Sequence, residues 1–115
     1  MNHHKTKRKL GRVRKVRNAL VKSLALSLVL KGKIKTTDAK ARELRPFVEK
    51  MITSGMSGTV ATQRALAIKV GNSGAKKIVS EISPKYKDRK GGYTRITKLP
   101  ARLSDGSLMS IIEFV

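Results

Sequence analysis

The sequence predicts an α+β fold: about four helices packed on a small mixed sheet of about three strands, in the order helix, strand, three helices, hairpin, preceded by a basic extended N-terminal arm. Three observations carry that expectation. Apolar residues recur at helical spacing over separate stretches between residues 18 and 82. Three short segments alternate like strands, and two of them flank a turn in the last quarter of the chain. The first 17 residues hold eight cations and no acid, which leaves them nothing to fold around. The expected division is therefore an arm over residues 1 to 17 and one α+β domain over residues 18 to 115.

In the arm, Lys5, Lys7, Arg8, Lys9, Arg12, Arg14, Lys15 and Arg17 surround only four apolar side chains larger than alanine, Met1, Leu10, Val13 and Val16. A segment of this kind orders against something anionic, and Gly11 lets its backbone pass close to a groove. Asn18 is positioned to cap the first helix, which runs to about Leu30 with Leu20, Val21, Leu24, Ala25, Leu28 and Val29 on its core face. Gly32 stops it, and Lys33 to Thr37 alternate like a strand with Ile34 inward. Thr37 caps the second helix, with Asp38 in its first turn, where the helix dipole favours an anion. Leu44, Phe47, Val48, Met51 and Ile52 form its apolar stripe; Pro46 lies within the stripe and predicts a kink or break after Arg45. Thr59 or Ser57 caps a third helix of about Val60 to Val70, and Gly71 to Gly74 form a break. Ser73 caps a fourth helix with Ala75, Ile78, Val79 and Ile82 on one face, closed by Pro84. Tyr93 to Leu99 and Leu108 to Val115 are the hairpin strands, joined through Pro100 and a Ser104-Asp105-Gly106 turn.

Composition then limits the function classes. The chain has 115 residues, 27 Lys and Arg against 7 Asp and Glu, a net charge of +20 and 39% hydrophobic residues. A chain of this size buries roughly two thirds of its unfolded surface, so self-repulsion weighs heavily against a thin packing margin. The same charge makes a nucleic acid the default partner. Absence of cysteine removes disulfides, thiolate nucleophiles and cysteine-based zinc sites. The apolar run from Ala19 to Leu30 is interrupted by Lys22, is followed by Lys31, Lys33 and Lys35 rather than a small-residue cleavage site, and is shorter than the roughly 20 residues that a bilayer requires. No signal peptide, transit peptide or membrane partner is expected.

Catalytic chemistry is also not expected. His3 and His4 are adjacent, lie in the arm and have no cysteine or acidic cluster beside them. Six of the seven acids have a Lys or Arg within four residues, Glu113 being the exception, and none pairs with another acid for proton transfer. The segment Gly71 to Lys77 lacks the spacing of a nucleotide-binding loop and at best offers backbone amides to a phosphate. We therefore expect no enzyme activity, no cofactor, no metal and no small-molecule substrate. By contrast, Lys85 to Arg95 interleaves cations with Tyr86, Tyr93 and the pair Gly91-Gly92. Glycines let a backbone approach a sugar-phosphate chain, arginines fork onto phosphates, and a tyrosine can stack on an unpaired base. Tyr93 can equally begin a strand and pack on the core while the glycines shape the turn.

Gly91-Gly92-Tyr93-Thr94-Arg95-Ile96, with Ile34-Lys35-Thr36-Thr37 and Lys40-Ala41-Arg42-Glu43-Leu44-Arg45, resembles the bacterial large-subunit ribosomal protein family seventeen. The likeness runs nearly end to end, although the His-Arg pattern at the start is looser and the histidine that family members carry near the position of Val16 is missing. The resemblance implies an α+β structural constituent of the large ribosomal subunit that binds and stabilises 23S rRNA near the peptide exit tunnel, beside neighbouring ribosomal proteins, in the bacterial cytoplasm. It also implies that Thr36, Thr37, Lys40 and the Gly91 to Arg95 loop lie at or near RNA. Charge and resemblance together give an expected RNA-binding set of Lys5, Lys7, Arg8, Lys9, Arg12, Arg14, Lys15, Arg17, Lys22, Thr36, Thr37, Lys40, Arg89, Gly91, Gly92, Tyr93, Thr94 and Arg95. The alternative is a nucleoid-type DNA-binding protein, against which stands the lack of a convincing helix-turn-helix recognition helix.

Overall fold

A computed structural model of the chain describes residues 14–115. Helix α1 spans Arg14–Lys31, strand β1 Lys33–Thr37, helix α2 Asp38–Gly55 and helix α3 Val60–Lys77. A π-helical turn, Ile78–Ile82, leads into the one-turn helix α4, Ser83–Lys85; β2, Thr94–Leu99, and β3, Met109–Phe114, complete the domain. The expected fold class is the one found.

The sheet is wholly antiparallel rather than mixed, in the order β1-β3-β2. The hairpin makes β2 and β3 antiparallel, and β1 then pairs on the free side of β3, which occupies the centre. That register aligns Ile34, Ile112 and Ile96 across all three strands in a row packed against the helices. Lys33, Glu113 and Arg95 line up in the same way on the opposite face. Helix α2 packs against all three strands and also meets α1 and α3. Its buried stripe of Leu44, Val48, Met51 and Ile52 therefore holds the centre of a core that includes Leu28, Leu66, Ile78 and Tyr93.

Several boundaries differ from the sequence reading, each for a physical reason. Helix α1 is already helical at Arg14, four positions before Asn18, because Arg, Lys, Ala and Leu all favour helix and nothing here breaks it. Arg14, Lys15 and Arg17 thus ride on a helix rather than in an extended arm. Pro46 does not break α2, which continues from Asp38 to Gly55. Proline removes one backbone bond, but the residues on either side, Leu44 and Val48, are fully buried and hold the helix to the core. The break expected at Gly71 is present as one residue with φ 77° and ψ 173°, a conformation open to glycine and costly for other residues. Helical backbone resumes directly after it, so Ser73 lies within the helix and does not begin it. Pro84 does not close the last helix either; it occupies the first turn of α4, where no backbone donor is needed. Thr59, not Ser57, caps α3, its hydroxyl accepting from the Thr62 amide at 3.1 Å.

Candidate nucleic-acid interface

The acids decide which cations are left for a partner. Asp38 pairs with Arg42 at 2.9 Å, Asp105 with Arg102 at 2.6 Å, and Glu49 with Arg45 at 3.3 Å. Glu113, which has no cation nearby in sequence, finds Arg95 directly opposite on the neighbouring strand at 2.9 Å. Among the described residues all four of these pairs use arginines; three are local, within a helix or a turn, and Arg95–Glu113 links two strands. Surface pairs of this type contribute little stability individually, but they fix where guanidinium groups point.

The candidate residues fall into three stations. Arg14, Lys15, Arg17 and Lys22 lie on the first half of α1, where the first turn contains no acid. Lys15 and Lys22, seven residues apart, share a helix face. Thr36, Thr37 and Lys40 form the second station at the junction of β1 and α2. Thr36 is buried, and the Thr37 hydroxyl is occupied as the helix cap, accepting from the Lys40 amide at 3.4 Å. Only the Lys40 side chain there is suited to reach a phosphate. Lys5, Lys7, Arg8, Lys9 and Arg12, with His3 and His4, lie outside the described residues.

The third station is the loop between α4 and β2. Lys85, Lys87, Arg89 and Lys90 are all exposed, with Asp88 the only acid among them. The loop is built on a scaffold of which the sequence reading offered only the packing of Tyr93. Tyr86 and Tyr93 are buried, their ring centroids 5.2 Å apart and inclined at 50°. The Tyr93 hydroxyl lies 3.2 Å from both the Thr53 hydroxyl and the Arg89 carbonyl. Arg89 in turn donates to the Gly92 carbonyl at 3.1 Å.

Beneath the loop sits Glu49 of α2. Its carboxylate accepts from the Thr94 hydroxyl at 2.8 Å, the Gly92 amide at 3.3 Å and Arg45 Nε at 3.3 Å. Burial pushes this carboxyl up, but the bonds from Thr94, Arg45 and the Gly92 and Thr94 amides outweigh that and hold it below its ordinary value. Gly92 has φ 67°, which lets the chain turn sharply enough to aim its amide at the acid. The phenol of Tyr86 is pushed up by burial, against the lowering effect of Arg89, and donates to the Val115 oxygen at 2.7 Å.

This geometry decides the part played by three individual residues. Tyr93 is 1% exposed, so its ring belongs to the core and is not free to stack on a base. Thr94 is likewise buried, with its hydroxyl spent on Glu49. Arg95 is exposed but committed to Glu113, with Nε and Nη2 donating to the same carboxylate oxygen at 3.1 and 2.9 Å. After the break at Gly71 the residues to Lys77 are helical, and Lys77 Nζ donates to the Leu30 carbonyl at 3.0 Å, closing the end of α1. The signal for Glu49 was half visible: its spacing from Arg45 marks a helical pair, but its partners on the loop are over 40 residues away. Among the described residues no group of His, Cys, Asp or Glu is placed to hold a metal, and no helix is long and apolar enough to cross a membrane.

Comparison with known proteins adds the remaining evidence. Residues 20–115 match the family model described as ribosomal protein L17. The whole chain aligns at 47% identity with all of the large ribosomal subunit protein bL17 of Fusobacterium nucleatum. The protein of the same name from Nautilia profundicola is 45% identical, over 100% of this chain and 98% of that protein. The one from Shouchella clausii is 43% identical, over 93% of this chain and 97% of that protein.

Proposed function

The chain belongs to the ribosomal protein L17 family, and from that premise we propose that it binds and stabilises large-subunit 23S rRNA through its basic surface, close to the peptide exit tunnel. It is a structural component of the bacterial large ribosomal subunit and not an enzyme. Its place is the cytoplasm, within the ribosome, beside neighbouring large-subunit proteins. Residues 1 to 17, of which the last four form the first turn of α1, act as the arm that enters between rRNA helices, and the rest of the folded body supplies a second basic face.

The observation that carries this reading is the cluster of Lys85, Lys87, Arg89 and Lys90, exposed on a loop whose backbone is pinned to the core by Glu49 and Tyr93. Fixed cations meet phosphates with less ordering cost than cations on a mobile loop. The exposed Gly91 and Gly92 leave room for a sugar-phosphate backbone to come close. Lys5, Lys7, Arg8, Lys9, Arg12, Arg14, Lys15, Arg17, Lys22, Lys40 and Arg89 are the cations proposed to contact phosphate, joined on the loop by Lys85, Lys87 and Lys90. Tyr93 and Thr94 serve that contact by shaping the loop. Readout is by shape and charge, since RNA helices present their backbone and minor groove more openly than their base edges.

Deleting residues 1 to 17 tests the arm. Binding of the truncated chain to a large-subunit rRNA transcript should weaken, and its dependence on salt should become shallower. Unchanged affinity and unchanged salt dependence would remove the arm from the interface. A preference for duplex DNA over the transcript in competition would turn the reading towards a nucleoid protein.

A further inference from the structure

We propose that Glu49 is a positioning residue for RNA binding, an acid that strengthens the grip on a polyanion by fixing the basic loop from below. The inference rests on the reading that the loop from Lys85 to Gly92 meets rRNA, and it names the group that sets the loop's geometry.

The Glu49 side chain ties helix α2, the glycine turn and strand β2 together. One oxygen, Oε1, receives the Gly92 amide; the other, Oε2, receives the Thr94 hydroxyl and Arg45 Nε. The Gly92 carbonyl then holds the Arg89 guanidinium, and the Arg89 carbonyl meets the Tyr93 hydroxyl. Fixing Gly92 therefore fixes Arg89, the central cation of the exposed cluster. All the groups presented to the carboxylate are donors, so only an acceptor with two free oxygens satisfies the site. Glutamine in its place would set an amide nitrogen against the Arg45 guanidinium or the Gly92 amide, leaving only the Thr94 hydroxyl able to turn and accept from it. Aspartate would keep the charge but fall one methylene short.

These substitutions separate geometry from charge, because the two accounts predict opposite signs. Removing a negative charge from a protein that binds phosphate should, by Coulomb attraction alone, tighten binding. Loss of a positioning contact should weaken it, because the loop's cations must then be ordered at the moment of binding. A purely structural role would lower the melting temperature and leave affinity of the folded chain unchanged.

The experiment measures binding of a large-subunit rRNA transcript to the full chain, to Glu49→Gln and to Glu49→Asp at one salt concentration, with thermal melts of each. We expect both variants to bind about three- to tenfold more weakly while still folded at the assay temperature. Unchanged or tighter binding by folded Glu49→Gln overturns the proposal. If Glu49→Gln does not fold, Glu49→Asp and Thr94→Val carry the same expectation and the same refutation. A control replaces Lys85, Lys87, Arg89 and Lys90 with glutamine. If that chain binds like the wild type, the loop is no RNA contact, and the reading itself falls, separately from the variants at Glu49.

Discussion

Tyr93 shows how the fold decides between two roles that its residue type leaves open. A tyrosine beside two glycines in a basic loop suggests base stacking, yet its ring is enclosed by the core and its hydroxyl sits among Thr53 and Arg89. Removing only the hydroxyl, in Tyr93→Phe, should cost about 1 kcal/mol of stability, the usual net worth of a buried hydrogen bond, measurable by urea denaturation. Glu49 gives a second residue-level expectation, through pH. Its carboxyl is held below its ordinary value of 4.5 in the folded state, so the unfolded chain takes up the proton first. The stabilisation is complete above that ordinary value and is lost as pH falls through the lower folded value. Wild-type stability should therefore drop on acidification below about pH 4.5, and Glu49→Gln should show a smaller drop over the same window. Equal acid sensitivity in the two proteins would show that the carboxylate's bonds do not favour the folded state.

At the scale of elements, helix α2 does the most to organise the molecule, and two of its residues yield predictions of opposite sign. Pro46 is exposed and sits mid-helix without a backbone donor. Pro46→Ala restores that bond and improves helix propensity; set against the extra freedom the unfolded chain gains, a stabilisation of about 1 to 2 kcal/mol is expected from chemical denaturation. Gly55, the last residue of α2, faces a crowded surface. A Cβ there would lie 2.5 Å from Ser83 Oγ and 2.8 Å from Ile78 Cγ2. The Ser83 hydroxyl cannot simply turn aside, because it donates to the Ile52 carbonyl at 2.8 Å inside the core. Overpacking should outweigh the better helix propensity of alanine, so Gly55→Ala should destabilise by about 1 to 2 kcal/mol, read from the same denaturation curves. Most of what is local was legible in the residues: the apolar stripe of α2, the Thr37 cap, the strand from Lys33 to Thr37 and the hairpin. What escaped was set by tertiary contact. Burial of Leu44 and Val48 overrides Pro46, and the pairing of Arg95 with Glu113 depends on a strand register that only the folded sheet defines.

For the molecule as a whole, the division of labour between charges is the main finding. Seven acids cannot neutralise 27 cations, and those that form pairs hold arginines in structural roles at Arg42, Arg45, Arg95 and Arg102. The surplus was obvious from composition; which cations belong to it was not, because a sequence does not show that Arg95 is paired with Glu113 while Lys85, Lys87 and Lys90 stand exposed on the loop. The central claim is that this surplus binds rRNA by displacing counterions from phosphates. Its most direct test is the affinity of the full chain for a large-subunit rRNA transcript, measured across a series of salt concentrations. About six phosphate contacts from the arm alone predict a log-log slope on the order of −4 to −5, and the contacts of the folded body steepen it further. A slope near zero, or affinity that persists unchanged into high salt, would contradict the account.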